Sequence, residues 1–176
     1  SAEEFAAVET ALRDALKEIR GMSSGLSLPN MEGSTVAQVI EYAVRNHERR
    51  TRSRVALDLG PELPKHVPKL LLTCLYRAVQ EGLNNAFRHA DGKDQAVRTR
   101  VDGDQLVLEI ADGGPGISEQ PAAPADDTKG LGLKGLSDRV ESLDGRFEIV
   151  SSPGAGTKLR IRFDKSALER FDEREV

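Results

Sequence analysis

Leu106-Val107-Leu108-Glu109-Ile110-Ala111-Asp112-Gly113-Gly114-Pro115-Gly116-Ile117 is the stretch whose reading decides the fold. Its first half is an apolar run interrupted by Glu109, with β-branched Val107 and Ile110, and reads as a half-buried strand. A single carboxylate, Asp112, follows where the strand ends, with three glycines in the next four positions. Glycine has no Cβ, so main chain can approach a ligand closely there. Taken alone, Asp-Gly-Gly is also ordinary turn chemistry. The stretch therefore leaves two readings open, a turn and a nucleotide contact.

Upstream, Val97 to Val101 with a turn at Asp102-Gly103-Asp104 predicts a hairpin with this strand. Before it lies the strongest helix, starting beyond Pro68, with Leu70, Leu71, Cys74, Leu75, Ala78, Val79, Leu83, Ala86 and Phe87 as its main apolar positions. Polar residues interrupt that helix at Glu81, Asn84, Asn85, Arg88 and His89. Asn is a poor mid-helix residue because its side chain competes for backbone hydrogen bonds, so two adjacent ones call for a reason. Glu81 and Asn85, four apart, share a face. The amide oxygen of Asn85 suits a hard cation such as Mg²⁺, and the carboxylate of Glu81 can orient or deprotonate a hydroxyl or water. A buried polar pair that only stabilises the helix explains the same spacing. Arg88 and Lys134 could neutralise phosphate, or be solvated surface cations.

Nearer the N-terminus, Val55 to Gly60 reads as a short strand. Val36, Val39, Ile40 and Ala43 mark a helix capped by Ser34 or Thr35 and ending in the charged run His47-Glu48-Arg49-Arg50. Residues 2 to 20 carry a narrow apolar stripe that needs a partner, either this domain or a helical bundle. The breaker region 21–33 separates it from the rest.

Downstream, residues 118 to 129 have loop composition. Gly130-Leu131-Gly132-Leu133-Lys134-Gly135-Leu136 then opens a helix with Leu136, Val140 and Leu143 inward. The glycine spacing matches a dinucleotide fingerprint, but that fingerprint needs a strand directly before it, and here a Pro/Ala/Asp loop precedes. What remains is a flexible entry to a helix N-terminus, a place where phosphate is attracted. A final strand pair flanks Gly154-Ala155-Gly156-Thr157, and a charged tail follows.

The bulk properties set limits. The 176 residues suffice for one domain with an extension, and a net charge of −4 gives no support for nucleic-acid binding. The single cysteine, Cys74, excludes an intrachain disulfide. No run approaches the length of a membrane span.

The order of the motifs is more specific than any one of them: Glu-x-x-Asn-Asn-Ala-x-x-His-Ala at 81–90, Asp-x-Gly-x-Gly at 112–116, Gly-Leu-Gly-Leu-x-Gly-Leu at 130–136 and Gly-x-Gly-Thr at 154–157. In that order the chain resembles the ATP-binding domain of sensor histidine kinases, in the wider group that includes gyrase, Hsp90 and MutL, over roughly residues 33 to 163. Residues 11–28 and 135–145 resemble the branch paired with helix-turn-helix response regulators. The chain departs from that branch at Asn84, where Thr is common, and at Asp-Gly-Gly, where Asp-Asn-Gly is commoner.

The resemblance implies a two-layer α/β (α+β) sandwich with a mixed, mostly antiparallel sheet. It divides the chain into 1–32, a partial second dimerisation helix and linker; 33–164, the ATP-binding domain; and 165–176, a charged tail. It implies ATP and Mg²⁺ as cofactors. Asp112 would accept from the adenine amino group, Gly114 and Gly116 would pass beside the nucleotide, and Asn85 would hold Mg²⁺. Glu81 would be the acid/base or water-orienting residue, with Arg88 and His89 near phosphate. Gly130, Leu131, Gly132, Leu133 and Gly135 would form the lid and its helix entry, and Thr157 would support the adenine end through Asp112 or water. A cytoplasmic location, a cognate response regulator and a homodimer through the dimerisation helices follow for the parent protein, with no nucleic-acid or membrane contact expected from this chain. An anti-sigma-type serine kinase and a non-catalytic nucleotide-dependent module are the alternatives. Of the three histidines, His89 falls in the first motif, His66 in a proline-bounded loop, and His47-Glu48 on the wrong side of the bundle segment. The expectation is a phosphoacceptor histidine outside this chain.

Overall fold

The computed structural model describes residues 30–116 and 131–172, all but the first of them in the compact unit Met31–Val176. The expected helix over residues 2 to 20, the segment 118 to 129 and Gly130 lie outside the described residues. The elements are α1 (Val36–Thr51), β1 (Ala56–Leu59), α2 (Lys69–Ala90), β2 (Ala96–Asp102), β3 (Gln105–Asp112), α3 (Leu131–Ser142), β4 (Arg146–Ser151), β5 (Thr157–Asp164) and α4 (Lys165–Asp172). One five-stranded sheet has the order β1-β2-β3-β5-β4. Only β1 and β2 run parallel; the other pairs are antiparallel. The stretch chosen from the sequence is thus the central strand, with a ladder on each side.

Strand alternation divides the sheet into two chemically different faces. Leu106, Leu108 and Ile110 of β3 join Leu159, Ile161 and Phe163 of β5 in the core, together with the buried stripes of α1 (Val36, Val39, Ile40, Ala43, Val44) and α2 (Leu71, Leu75, Ala78, Val79, Leu83). At about 25 cal/mol per Å² of buried apolar surface, this layer supplies most of the drive to fold. Two glycines let the layers approach. A Cβ at Gly82 would stand 2.8 Å from Ile110 Cγ2, and one at Gly145 would stand 2.5 Å from a Phe163 ring carbon. α1 starts at a capping box in which Thr35 accepts from the Gln38 N–H and the Gln38 side chain accepts from the Thr35 N–H. Cys74 is buried in the core, and burial pushes its thiol pKa up to about 12 against the opposing pull of Arg139.

The opposite face carries charge. Arg98 and Arg160 flank Glu109 in register, and Glu109 is only 7% exposed. Its carboxylate accepts from Arg160 Nε at 2.7 Å and from Arg100 at 3.2 Å. Burial alone would raise the Glu109 pKa, but the hydrogen bonds and charge of Arg160 and Arg100 outweigh it and hold the carboxyl below its ordinary value. A group depressed in the folded state contributes stability above its unfolded pKa and loses it as pH falls through the folded value. Glu109→Gln is therefore expected to cost about 2 kcal/mol at neutral pH. The gap to the parent should close below roughly pH 4, as read by denaturant unfolding at pH 7 and in acid. An undiminished gap in acid would contradict the assignment. Among the described residues, no helix is long and apolar enough to cross a membrane.

Candidate functional site

α2 supplies one side of the site. Most of its apolar residues are buried, but Leu70 and Phe87, expected from the sequence to pack inward, are exposed; Glu81 and Asn85, four apart, are both partly buried. Asn85 Nδ2 donates to Glu81 Oε1 at 3.4 Å. That bond fixes which end of the amide is which, and leaves the Asn85 oxygen without a partner among the described residues. Arg88 and His89 are exposed in the last turn of the helix.

The N-terminal turn of α3 comes to the same place. Gly132 lies against Glu81, where a Cβ would stand 2.0 Å from Oε1. The absence of a Cβ lets this turn reach the carboxylate without displacing the Glu81 side chain, and a carboxylate beside a helix N-terminus is favourably placed. Leu131 begins the helix. Leu133 is half-buried and packs on the core, whereas Gly135 is exposed with open space where its Cβ would be. Lys134 is exposed.

The other side is built at the end of the central strand. Asp112 is the last residue of β3 and faces Thr157, the first of β5. Asp112 Oδ1 accepts from the Gly114 N–H at 2.9 Å and from the Thr157 N–H at 3.3 Å. Nothing among the described residues hydrogen-bonds its Oδ2. The Gly113 N–H donates to the Lys93 carbonyl at 2.8 Å, tying the turn to the loop after α2. Gly114 is buried against α2, where a Cβ would meet that of Ala90 at 2.4 Å. Gly116 passes the Ser152 carbonyl, where a Cβ would overlap at 2.1 Å. Gly156 has φ +75° and abuts the Asp112 carbonyl. The Thr157 hydroxyl turns to Ser151 Oγ at 3.0 Å, so it is the main chain of Thr157, rather than its side chain, that meets Asp112.

The expected residues thus form two groups. Glu81, Asn85 and Gly132 make one. Asp112, Gly114, Gly116 and Thr157 make the other, joined to the C-terminal end of α2 through the Gly114–Ala90 contact. The oxygen donors of Glu81 and Asn85 suit a hard cation. Among the described residues there is no cluster of three or more His, Cys, Asp or Glu able to cage a metal, so Mg²⁺ here would take its remaining ligands from phosphate and water.

Sequence reasoning missed a third group. His47 is 3% exposed and Gln95 is 2% exposed, and His47 Nε2 lies 2.9 Å from Gln95 Oε1. Arg50 donates to Asn84 Oδ1 on α2 and lies 3.4 Å from His47 Nδ1. The helix end that reads as a charged run therefore buries its histidine.

The chain is 24% identical over 166 residues to sensor protein VraS of Staphylococcus aureus (strain COL), covering 94% of this chain and 46% of that protein. The chain spans less than half the length of the curated relatives it matches. In fold it is similar to the histidine kinase domain of the Erythrobacter litoralis EL346 blue-light activated histidine kinase, with a TM-score of 0.61 at 19% identity over 78% of this chain and 68% of that one. It is also similar to full-length ShkA, with a TM-score of 0.56 at 19% identity over 74% of this chain and 29% of that one. The sequence profile of the histidine kinase-, DNA gyrase B-, and HSP90-like ATPases matches residues 72–167, more than half of the chain and nearly all of the site just described. The chain belongs to that ATPase family.

Proposed function

We propose that the chain is the ATP-binding catalytic part of a two-component sensor histidine kinase, which delivers the ATP γ-phosphoryl group to a histidine outside these residues. The observation that carries the reading is the Asp112 carboxylate, held by two main-chain N–H groups at the end of the central strand, with its second oxygen unengaged among the described residues. It stands in one fold with the Glu81–Asn85 pair. In this reading Asp112 Oδ2 accepts from the adenine amino group, and Asn85 offers its amide oxygen to Mg²⁺. Glu81 orients the attacking imidazole or takes its proton, while Arg88, His89 and Lys134 face the phosphates. Bound Mg²⁺ would neutralise phosphate charge. The chain's own contribution is positioning and electrostatics. ShkA, similar in fold, is described in complex with AMPPNP.

The environment of His47 supports an acceptor elsewhere, because a buried imidazole engaged by Gln95 is not presented to a nucleotide. Residues 1–32 as part of a dimerisation hairpin, 33–164 as the ATP-binding domain and 165–176 as a tail complete the reading. So do a cytoplasmic setting, a homodimeric parent and a response regulator of the helix-turn-helix branch.

Calorimetry with Mg²⁺ and a non-hydrolysable ATP analogue tests the site. In Asp112→Asn the new Oδ1 keeps the Gly114 and Thr157 N–H bonds, so the NH₂ must face the adenine amino group, donor against donor. The expected loss is about 100-fold in affinity. Unchanged affinity in the variant, or no binding by the parent, would refute the reading.

A further inference from the structure

One set of interactions near the site is left unexplained by any motif. It starts at Gln95, whose Nε2 donates to Ser53 Oγ at 2.9 Å and to the Arg54 carbonyl at 3.4 Å. A carbonyl can only accept, so the amide orientation is settled and Gln95 Oε1 must accept from His47. His47 Nε2 therefore carries the proton. Burial holds the His47 pKa below its ordinary value; the Arg50 charge pulls the same way, against the Gln95 hydrogen bond and Glu48. The ring is neutral, and its Nδ1 presents a lone pair to Arg50 NH2. The ring is also fixed edge-on to Phe87, with centroids 6.2 Å apart. The same Arg50 nitrogen donates to Asn84 Oδ1. Each bond settles the polarity of the next, and the series ends on the residue beside Asn85.

We infer that Arg50 is a positioning residue for the nucleotide site: steered by His47 and Gln95, it holds Asn84 and so fixes the turn of α2 that aims Asn85. The inference rests on the reading of Asn85 as the residue that meets Mg²⁺. It also accounts for two adjacent asparagines in the middle of a helix, a poor choice for the helix itself. Asn85 works toward the ligand, and Asn84 is the handle by which α1 holds it. Groups behind a metal-binding residue set its orientation, and their loss weakens metal-dependent binding by about 10–100-fold.

The test is calorimetry on the full chain with Mg²⁺·ATP analogue and, separately, with ADP in excess chelator, alongside thermal melts. Arg50→Ala and Asn84→Ala should each weaken the Mg²⁺-dependent binding about tenfold, and the double variant should be no weaker than either single one. Metal-free ADP binding should change less than about twofold, because no Asn85–metal contact is involved. His47→Gln, whose amide can donate to Gln95 and accept from Arg50, should retain binding, whereas His47→Leu should resemble Arg50→Ala. Additive losses in the double variant would overturn the inference, because Arg50 and Asn84 would then act independently. Equal losses with and without metal, accompanied by lowered melting temperatures, would overturn it in favour of a purely structural bond. Absence of any nucleotide binding in the parent chain would overturn the ATP reading and this inference together.

Discussion

Asn85→Ala is expected to lower phosphoryl transfer about a thousandfold, the scale of removing one preorganised electrostatic group from a water-excluded site. Transfer is read from labelled ATP to an acceptor histidine, on the full-length dimer or on an acceptor domain supplied in trans. Among the described residues the amide oxygen of Asn85 is free, and its nitrogen is committed to Glu81. Truncation removes that oxygen and leaves the Glu81 carboxylate without its donor. The fold should be nearly unaffected, since alanine favours helix more than asparagine does. A melting temperature equal to or above that of the parent, with transfer lost, is the expected combination. Transfer within tenfold of the parent would remove Asn85 from the metal-binding position.

The second large effect is on folding itself. In Gly156→Ala the added Cβ would stand 1.9 Å from the Asp112 carbonyl oxygen, at a residue with φ +75°. The conformation alone costs a non-glycine residue about 1–2 kcal/mol. The overlap is with main chain, so no rotamer relieves it; either the end of β3 or the turn must move. A total near 4 kcal/mol is expected, among the larger single-residue losses, together with loss of nucleotide binding because Asp112 is displaced. Gly154→Ala provides the control, with φ +78° but open space around its Cβ. It should show only the conformational cost, about 1 kcal/mol. Denaturant unfolding of the two variants checks this. Equal losses would show that backbone conformation, rather than the approach to Asp112, is what the glycine serves.

The parts of the molecule legible in the sequence are those whose cause is local. The apolar run Leu106–Ile110 identifies the strand without any partner, although all five residues are buried where the pattern predicts a half-buried strand, and a periodic stripe identifies α2. The Glu81–Asn85 pair follows from helical spacing alone. The invisible parts are those whose cause is distant. His47 sits in a run of charged residues and reads as surface, yet the group that makes its burial tolerable, Gln95, is 48 positions away. Nothing in either local pattern points to the other. Glu109 reads as the polar member of a half-buried strand and is nearly buried, because the two arginines that cover it come from the neighbouring strands β2 and β5. Thr157 shows an intermediate case. Its proximity to Asp112 follows from the motif order, but the division of labour between its N–H and its hydroxyl depends on Ser151 across the strand pair.

That Asp112 and Thr157 meet across 45 positions of chain also has a kinetic meaning. Contacts this distant in sequence come at the expense of loop-closure entropy before they return any energy. The helices can gather locally and β2 can zip onto β3 through a short turn, but the carboxylate acquires its second N–H donor only when β5 arrives. In the proposed reading the purine end of the pocket is complete only once β5 has docked, and bound nucleotide would act as a latch on that strand.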